Sequence, residues 1–203
     1  KYLINWQLAA PNVIRFSAIG AVSTVGFSTA MTSVFCAVLL FSWLSSGTIL
    51  SHFEYCLMSP IGKTLIIFFV FLSIGCGYGS VSWSERLDSL WSWRKIFYVL
   101  ILLPIFADEL WKKRFIISFL GFSVLGLLVS YLSWSGLIGI KIENTPGVVL
   151  QNWASQGMIF SIAILISYFL AFSENEKYKK YFLFLGILFL LNIIFITQGR
   201  SGY

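Results

Sequence analysis

"YFLFLGILFLLNIIFITQGRSGY", Tyr181–Tyr203, decides the class of fold. Leu, Phe and Ile fill its first part for some fifteen residues. The run then ends in one cation, Arg200, held between Gly199 and Gly202. Crossing a hydrocarbon core of about 30 Å takes about 20 mostly apolar residues in a helix. The stretch 181–198 is of that kind.

Composition says that the same solvent surrounds the rest of the chain. The 203 residues are 58% hydrophobic and 11% charged, with a mean hydropathy of +0.86. A soluble domain carries about a quarter charged residues, so lipid is the medium here. One short apolar run after a basic start would read as a signal peptide, but apolar runs recur to the last residues. Strand-like alternation is absent, which leaves helices rather than a barrel to satisfy the backbone in lipid. The fold class expected is all-α, a polytopic transmembrane helical bundle, with residues 1–203 forming one transmembrane domain.

Spans are expected near 62–80, 96–110, 115–136, 157–173 and 181–198. The earlier stretch 12–46 is too long for one helix, and "STVGFSTAMTS" in its middle is rich in Gly, Ser and Thr. A break near Gly26 therefore divides it into 12–25 and 29–46, making about seven spans. Two loops are cationic, "WKKR" at 111–114 and "ENEKYKK" at 174–180. Two spans separate them, so they share a face, and the positive-inside rule assigns that face to the cytoplasm. Lys1, Arg15 and Lys63 then also fall inside, while Arg86, Arg94, Lys95, Lys141 and Arg200 fall outside. The outer parts are "SVSWSERLDSLWSWRK" (80–95), 137–156 with a turn at Pro146 and Gly147, and the segment with Arg200. The first of these mixes Trp83, Trp91 and Trp93 with charges, as an amphipathic segment at headgroup level does.

Chemistry has few candidates. No GxSxG, HExxH, Walker loop or metal-binding DxD pair occurs. His52 stands alone on the inner side, and Cys36, Cys56 and Cys76 sit in or beside apolar runs as small hydrophobes. No metal and no cofactor is expected. Asp108 and Glu109 read as solvated caps beside Lys112 and Arg114. The 14 Lys and Arg are scattered rather than gathered in a stripe, so nucleic acid is not an expected partner. Arg200 has two readings on spacing alone. One is a snorkelling anchor to lipid headgroups. The other is a clamp whose planar fork grips phosphate, with glycines letting the backbone come close.

"FITQGRSGY", 195–203, resembles a motif of the O-antigen ligase and polymerase superfamily, a Thr-x-Ser/Gly-Arg-Ser/Thr-Gly pattern at the outer end of a span. "MSPIGKTLIIFFVFLSIGCGYGSVSW" (58–83) is similar to the family's proline-led span and its Ser/Trp-rich turn. "LDSLWSWRKIFYVLILLPIFADELWKKRFIISFLGFSVLGLLVSYL" (87–132) is similar to the basic turn, short span, inner basic loop and long span that follow in that family. "NWASQGMIFSIAILISYFL" (152–170) resembles the segment leading into the span before the arginine. The likeness runs from about Met31 onwards.

The resemblance implies a metal-independent glycosyltransferase of the bacterial inner membrane with its active side facing the periplasm. It would transfer O-antigen polysaccharide from undecaprenyl pyrophosphate to lipid A-core, with membrane lipids as surroundings. Arg200 would be catalytic, and Gly199 and Ser201 would join it in binding substrate. The polymerase that acts on the same carrier is the alternative within the superfamily. A lipid-linked sugar transporter or flippase is the alternative outside it. The resemblance further implies later spans and a large periplasmic loop with another arginine and a histidine, so these 203 residues would be the N-terminal portion of a longer enzyme and inactive alone.

Overall fold

The computed structural model describes residues 2–78, 82–93, 95–142, 145–173 and 176–197. Among them the chain is all-α apart from one small hairpin. The helices are α1 (Tyr2–Thr24), α2 (Thr29–Ser45), α3 (Ile49–Met58), α4 (Pro60–Tyr78), α5 (Trp83–Ser92), α6 (Lys95–Leu102), α7 (Glu109–Trp134), α8 (Trp153–Ser173) and α9 (Glu176–Phe195). Strands β1 (Lys141–Ile142) and β2 (Thr145–Pro146) pair antiparallel, Lys141 opposite Pro146 and Ile142 opposite Thr145.

Four of the described helices are long and apolar enough to cross a membrane: α4, α7, α8 and α9. They coincide with the expected spans 62–80, 115–136, 157–173 and 181–198, and they make this a membrane protein. A fifth crossing is available if α2 and α3 count as one span, but these two meet at 103°. The bend falls at Ser46-Gly47-Thr48, where Gly47 has φ 72°, a conformation glycine adopts without strain. The full count of about seven is not reached by these criteria. The 96–110 stretch is the largest departure. Its helix α6 has eight residues, about 12 Å of rise, because Pro104 lacks an N–H and disfavours a helical residue before it. One turn of 3-10 helix, Ile105–Ala107, comes next. The break near Gly26 is present, since α1 stops at Thr24, whose carbonyl accepts from both Phe27 and Ser28 at 3.0 Å.

The described chain divides into two compact units. The first comprises residues 1–18 and 35–113. Here α3 turns into α4 so tightly that a Cβ on Gly62 would lie 2.2 Å from the Cys56 carbonyl oxygen. Edge-to-face rings join α4 to its successors: Phe68 with Trp93 at 5.5 Å, and Phe69 with Phe97 at 4.7 Å. Asp108 caps α7, its carboxylate accepting from Leu110 N at 3.0 Å and Trp111 N at 3.4 Å. It also meets Arg15 at 3.5 Å, and the Arg15 guanidinium lies over the Trp111 ring. Glu109 pairs with Lys112 at 2.9 Å. Asp108 therefore serves as the cap that the sequence suggested, while Glu109, the first residue of α7, pairs with Lys112. Helix α5 leaves Trp83 and Trp91 about two-thirds exposed, at 65% and 67%, as an interfacial helix requires.

The second unit comprises residues 19–34 and 114–203. Its centre is α7, α8 and α9, with Phe119, Leu127, Leu150, Phe160, Ala163, Phe189 and Ile193 in one apolar core. Phe160 and Phe189 meet at 5.1 Å. Gly186 brings α9 close to α8, a Cβ there lying 3.9 Å from that of Ser167. Small residues at such crossings let helix backbones approach where lipid offers no hydrophobic drive.

Candidate functional site

Arg200, Gly199 and Ser201 lie outside the described residues, as does Arg94. Thr197, three positions before the arginine, is the last residue whose surroundings are defined. The candidate site is therefore built from the parts that meet at this end of α9.

Residues 147–150 return from the hairpin into the second unit rather than staying at its surface. Val148, Val149 and Leu150 are buried at 0%, 9% and 1% exposure. Irregular backbone among membrane helices needs partners for its N–H and C=O groups, because lipid supplies none. Gln156, on the first turn of α8, supplies them. Its Oε1 accepts from Val149 N at 2.9 Å and Leu150 N at 3.2 Å. Its Nε2 donates toward the Gly147 carbonyl at 3.1 Å, Ser130 Oγ at 3.2 Å and Asn192 Oδ1 at 3.1 Å. Asn192 of α9 donates from Nδ2 to Ser130 Oγ at 2.8 Å, and the Ser130 hydroxyl donates to the Gly147 carbonyl. Ser133 completes the set, accepting from Gly147 N and donating to the Ile140 carbonyl. Gln156, Asn192 and Ser130 are all fully buried.

The same end of the unit holds two further pieces. Gly147 has φ 87°, and a Cβ there would lie 2.4 Å from Ile196 Cγ2 and 3.0 Å from Trp134 Cβ. Only glycine fits between α7 and α9 at that point. The turn joining α1 to α2 also arrives here. Gln151 donates from its side chain to the Val25 carbonyl at 2.7 Å and from its backbone to Gly26 O at 3.3 Å. At the last turn of α9, the Asn192 carbonyl accepts from Ile196 N at 2.9 Å and from Thr197 through both N and Oγ1 at 3.1 Å.

Serine hydroxyls and neutral amides can hold geometry but cannot exchange a proton near neutral pH. The network is thus a scaffold, and none of its own members carries a charge. Sequence reasoning passed over Gln156, Asn192 and Ser130. The signal was available in Asn192, an amide inside an uninterrupted apolar run, because polar groups in spans are costly and tend to pair across helices.

The first unit contains a different kind of feature, an apolar cavity of about 920 Å³ among α2, α3, α4, α5 and α6. Leu40, Phe53, Phe69 and Ile101 line it, with His52, Cys56, Asp88 and Tyr98 as its ionisable groups. Trp43 donates its indole N–H to His52 Nδ1 at 2.9 Å. That bond requires a neutral imidazole with its remaining proton on Nε2. Cys56, also on the wall, is buried and donates to the Leu100 carbonyl at 3.3 Å. Cys36 and Cys76 are partly exposed, and all three cysteines are free thiols. Among the described residues, no three His, Cys, Asp or Glu side chains gather where they could hold a metal ion.

Compared with protein-family models, curated proteins and solved structures, the chain matches none.

Proposed function

We propose that this chain is the arginine-bearing part of a bacterial inner-membrane glycosyltransferase, one that moves O-antigen polysaccharide from undecaprenyl pyrophosphate to lipid A-core on the periplasmic side. The observation that carries the reading is the pattern Thr197-Gln198-Gly199-Arg200-Ser201-Gly202 directly after the last apolar helix. Its support is the buried scaffold of Gln156, Asn192 and Ser130, which joins the 147–150 segment to the last turn of α9, while Gln151 ties the same segment to the turn at Gly26. Helices α7 and α8 are both long and apolar enough to cross. With both as crossings, the basic runs at 112–114 and 177–180 share the opposite face, which the positive-inside rule makes cytoplasmic. The reading adds 12–25, 29–46 and 96–110 as crossings, about seven in all, but its geometry needs only α7 to α9.

The chemistry asks one thing of Arg200. Departure of the lipid pyrophosphate from the anomeric carbon builds negative charge on phosphate oxygens, and a fixed guanidinium stabilises that charge. Gly199 and Ser201 let the backbone come close and offer a further donor. The base that takes the acceptor's proton lies outside these residues on this reading. Polymerisation on the same carrier uses the same leaving group and the same arginine.

The test is to express Arg200→Lys and Arg200→Ala at matched membrane abundance and follow transfer of carrier-linked glycan to lipid A-core. A clamp loses its planar fork in Arg200→Lys, so both variants should fail by tenfold or more while carrier-linked polymer accumulates. Parental transfer by Arg200→Lys would make the residue an anchor and remove the ground for the enzyme.

A second reading, a transporter or flippase of lipid-linked sugar, draws on the first unit. Transporter sites are often built at broken helices, and the 103° bend of α2 into α3 stands beside the 920 Å³ cavity. Vesicles containing the purified protein and a labelled carrier-linked glycan separate the two. Translocation without any glycosidic transfer would favour the transporter.

A further inference from the structure

The cavity of the first unit has a wall of selective chemistry. Trp43, Phe53, Phe69, Trp91, Phe97 and Tyr98 on it are aromatic, and most of the remaining lining is Leu or Ile. Its volume of about 920 Å³ lies in the range, about 300–1,000 Å³, of sites for small molecules. The aromatic surface is open to a guest, since Phe53 and Phe97 keep 53% and 47% of their surface uncovered. Phe97 rests edge-to-face on Phe69, and Trp43 is tied to His52. These rings are therefore held in place before anything binds.

Charge on this wall has one sign. His52 is neutral because its Nδ1 accepts from Trp43, and Cys56 keeps its proton in the bond to the Leu100 carbonyl. Tyr98 brings a hydroxyl. That leaves Asp88 as the one formal charge among the described lining residues. No described side chain pairs with its carboxylate. Arg86, two positions earlier on α5, instead donates to the Cys76 carbonyl at 3.1 Å and lies over the Trp83 ring. Asp88 is exposed and yet lines the cavity, which sets it at the mouth. Helix α5 runs back along α4, for Arg86 meets Cys76 and Trp93 meets Phe68. Asp88 thus stands alongside an apolar helix, where an ionisable group is costly unless it faces a cavity or a partner.

We propose that this cavity binds a lipophilic organic cation, an ammonium or phosphonium centre bearing apolar groups, with Asp88 as its counter-ion and the aromatic wall around its body. Such a guest supplies the charge that the carboxylate lacks, and the faces of Trp, Tyr and Phe attract it further. A neutral guest would strip water from the carboxylate without compensation, and an anion would be repelled. The site goes beyond the transfer reading and does not depend on it, since every residue named for it belongs to the first unit.

The experiment is equilibrium dialysis of the full-length protein in lipid nanodiscs, with uptake by protein-free nanodiscs subtracted. The probes are tetraphenylphosphonium and tetraphenylborate, which have nearly the same size and shape but opposite charge. The phosphonium should bind saturably, one per chain, and the borate about tenfold more weakly or worse. Asp88→Asn keeps the shape, removes the charge and breaks no side-chain bond of the described structure, so its near-ultraviolet circular dichroism should match the parent's. It should weaken phosphonium binding by about tenfold or more, the equivalent of about 1.4 kcal/mol. Asp88→Glu, which keeps the charge, should bind within about threefold of the parent. Phe97→Leu keeps an apolar wall without a π face and should weaken binding by about threefold. Absence of saturable phosphonium binding would overturn the site, as when lipid or a second copy of the chain fills the cavity. Equal affinity of parent and Asp88→Asn, or equal binding of the borate, would overturn the counter-ion role and leave a plain apolar cavity.

Discussion

The two units of this protein solve the problem of polar atoms among apolar helices in opposite ways. In the second unit polar groups are taken inside and, Ser167 Oγ excepted, bonded. Gln156, Asn192 and Ser130 are completely buried and bonded to one another and to the backbone of residues 147–150. In the first unit the interior is left apolar and open, with a 920 Å³ cavity, and its ion pairs stay near solvent, as Arg15 with Asp108 does. The spans differ likewise: 39% of the most apolar window of α8 is buried within the structure, but only 6% of that of α4. Buried polar networks are costly when half satisfied and specific when complete. The second unit should therefore have one well-defined arrangement that single substitutions damage badly, while the first should absorb substitutions with smaller losses.

The largest effect is expected at Gly147. Gly147→Ala forces a side chain into a left-handed backbone and against Ile196 and Trp134. Strain of about 1–3 kcal/mol adds to overpacking of about 1–3 kcal/mol. The thermal midpoint of the detergent-solubilised protein, followed by near-ultraviolet circular dichroism, should fall by more than for any other variant considered. A midpoint equal to the parent's would mean that the segment is not wedged between α7 and α9.

Next comes Gln156→Met, which strands two N–H groups and weakens the bonding of one carbonyl. Buried unsatisfied groups cost about 1–3 kcal/mol each, and partial relaxation suggests about 2–3 kcal/mol in total. Side-chain hydrogen bonds between membrane helices average only about 0.6 kcal/mol. A loss below about 1 kcal/mol in the same melting experiment would place this network with those ordinary bonds and erase much of the contrast between units.

Asp108→Ala tests the first unit. Losing an N-cap costs about 1 kcal/mol, and the half-exposed pair with Arg15 adds little. The midpoint should move by a few degrees at most. A collapse as deep as that of Gly147→Ala would show that the first unit is as tightly specified as the second.

The smallest effect belongs to Trp83→Phe. Trp83 is 65% exposed on α5, and exposed substitutions usually stay within about 0.5 kcal/mol. Abundance in the membrane and transfer per folded molecule should both survive. Loss of transfer at normal abundance would give α5 a role beyond the interface.

Reading the chain by itself located the well-packed and the solvated parts for different reasons. Spans 115–136, 157–173 and 181–198 were legible because each is a long apolar run whose ends carry charge or turn residues. The break at Gly26 and the turn at Pro146-Gly147 were legible because Gly, Ser and Pro mark backbone departures directly. The exposure of Trp83 and Trp91 on α5 was legible in a stretch that mixes Trp with charges. Stretch 96–110 reads as one apolar run because hydropathy is insensitive to a single proline, whereas the structure has α6 at eight residues before Pro104. Helix α3 was invisible for a related reason: "ILSHFEYCLM" mixes polar and apolar residues in a stretch too short to judge by period.

Although the basic runs expected as loops lie in the first turns of α7 and α9, sequence by itself determined the medium, the helical class and the presence of an arginine between glycines after the last apolar run. All of these depend on composition or on neighbours along the chain, because transfer to lipid and local turn preference act residue by residue. Only the tertiary structure decided that Val148 to Leu150 re-enter the second unit, and that Ser130, Gln156 and Asn192, up to 62 positions apart, share one set of hydrogen bonds. A hydrogen bond requires atoms within about 3 Å, and nothing in the order of residues says which amide will meet which carbonyl until helices have packed.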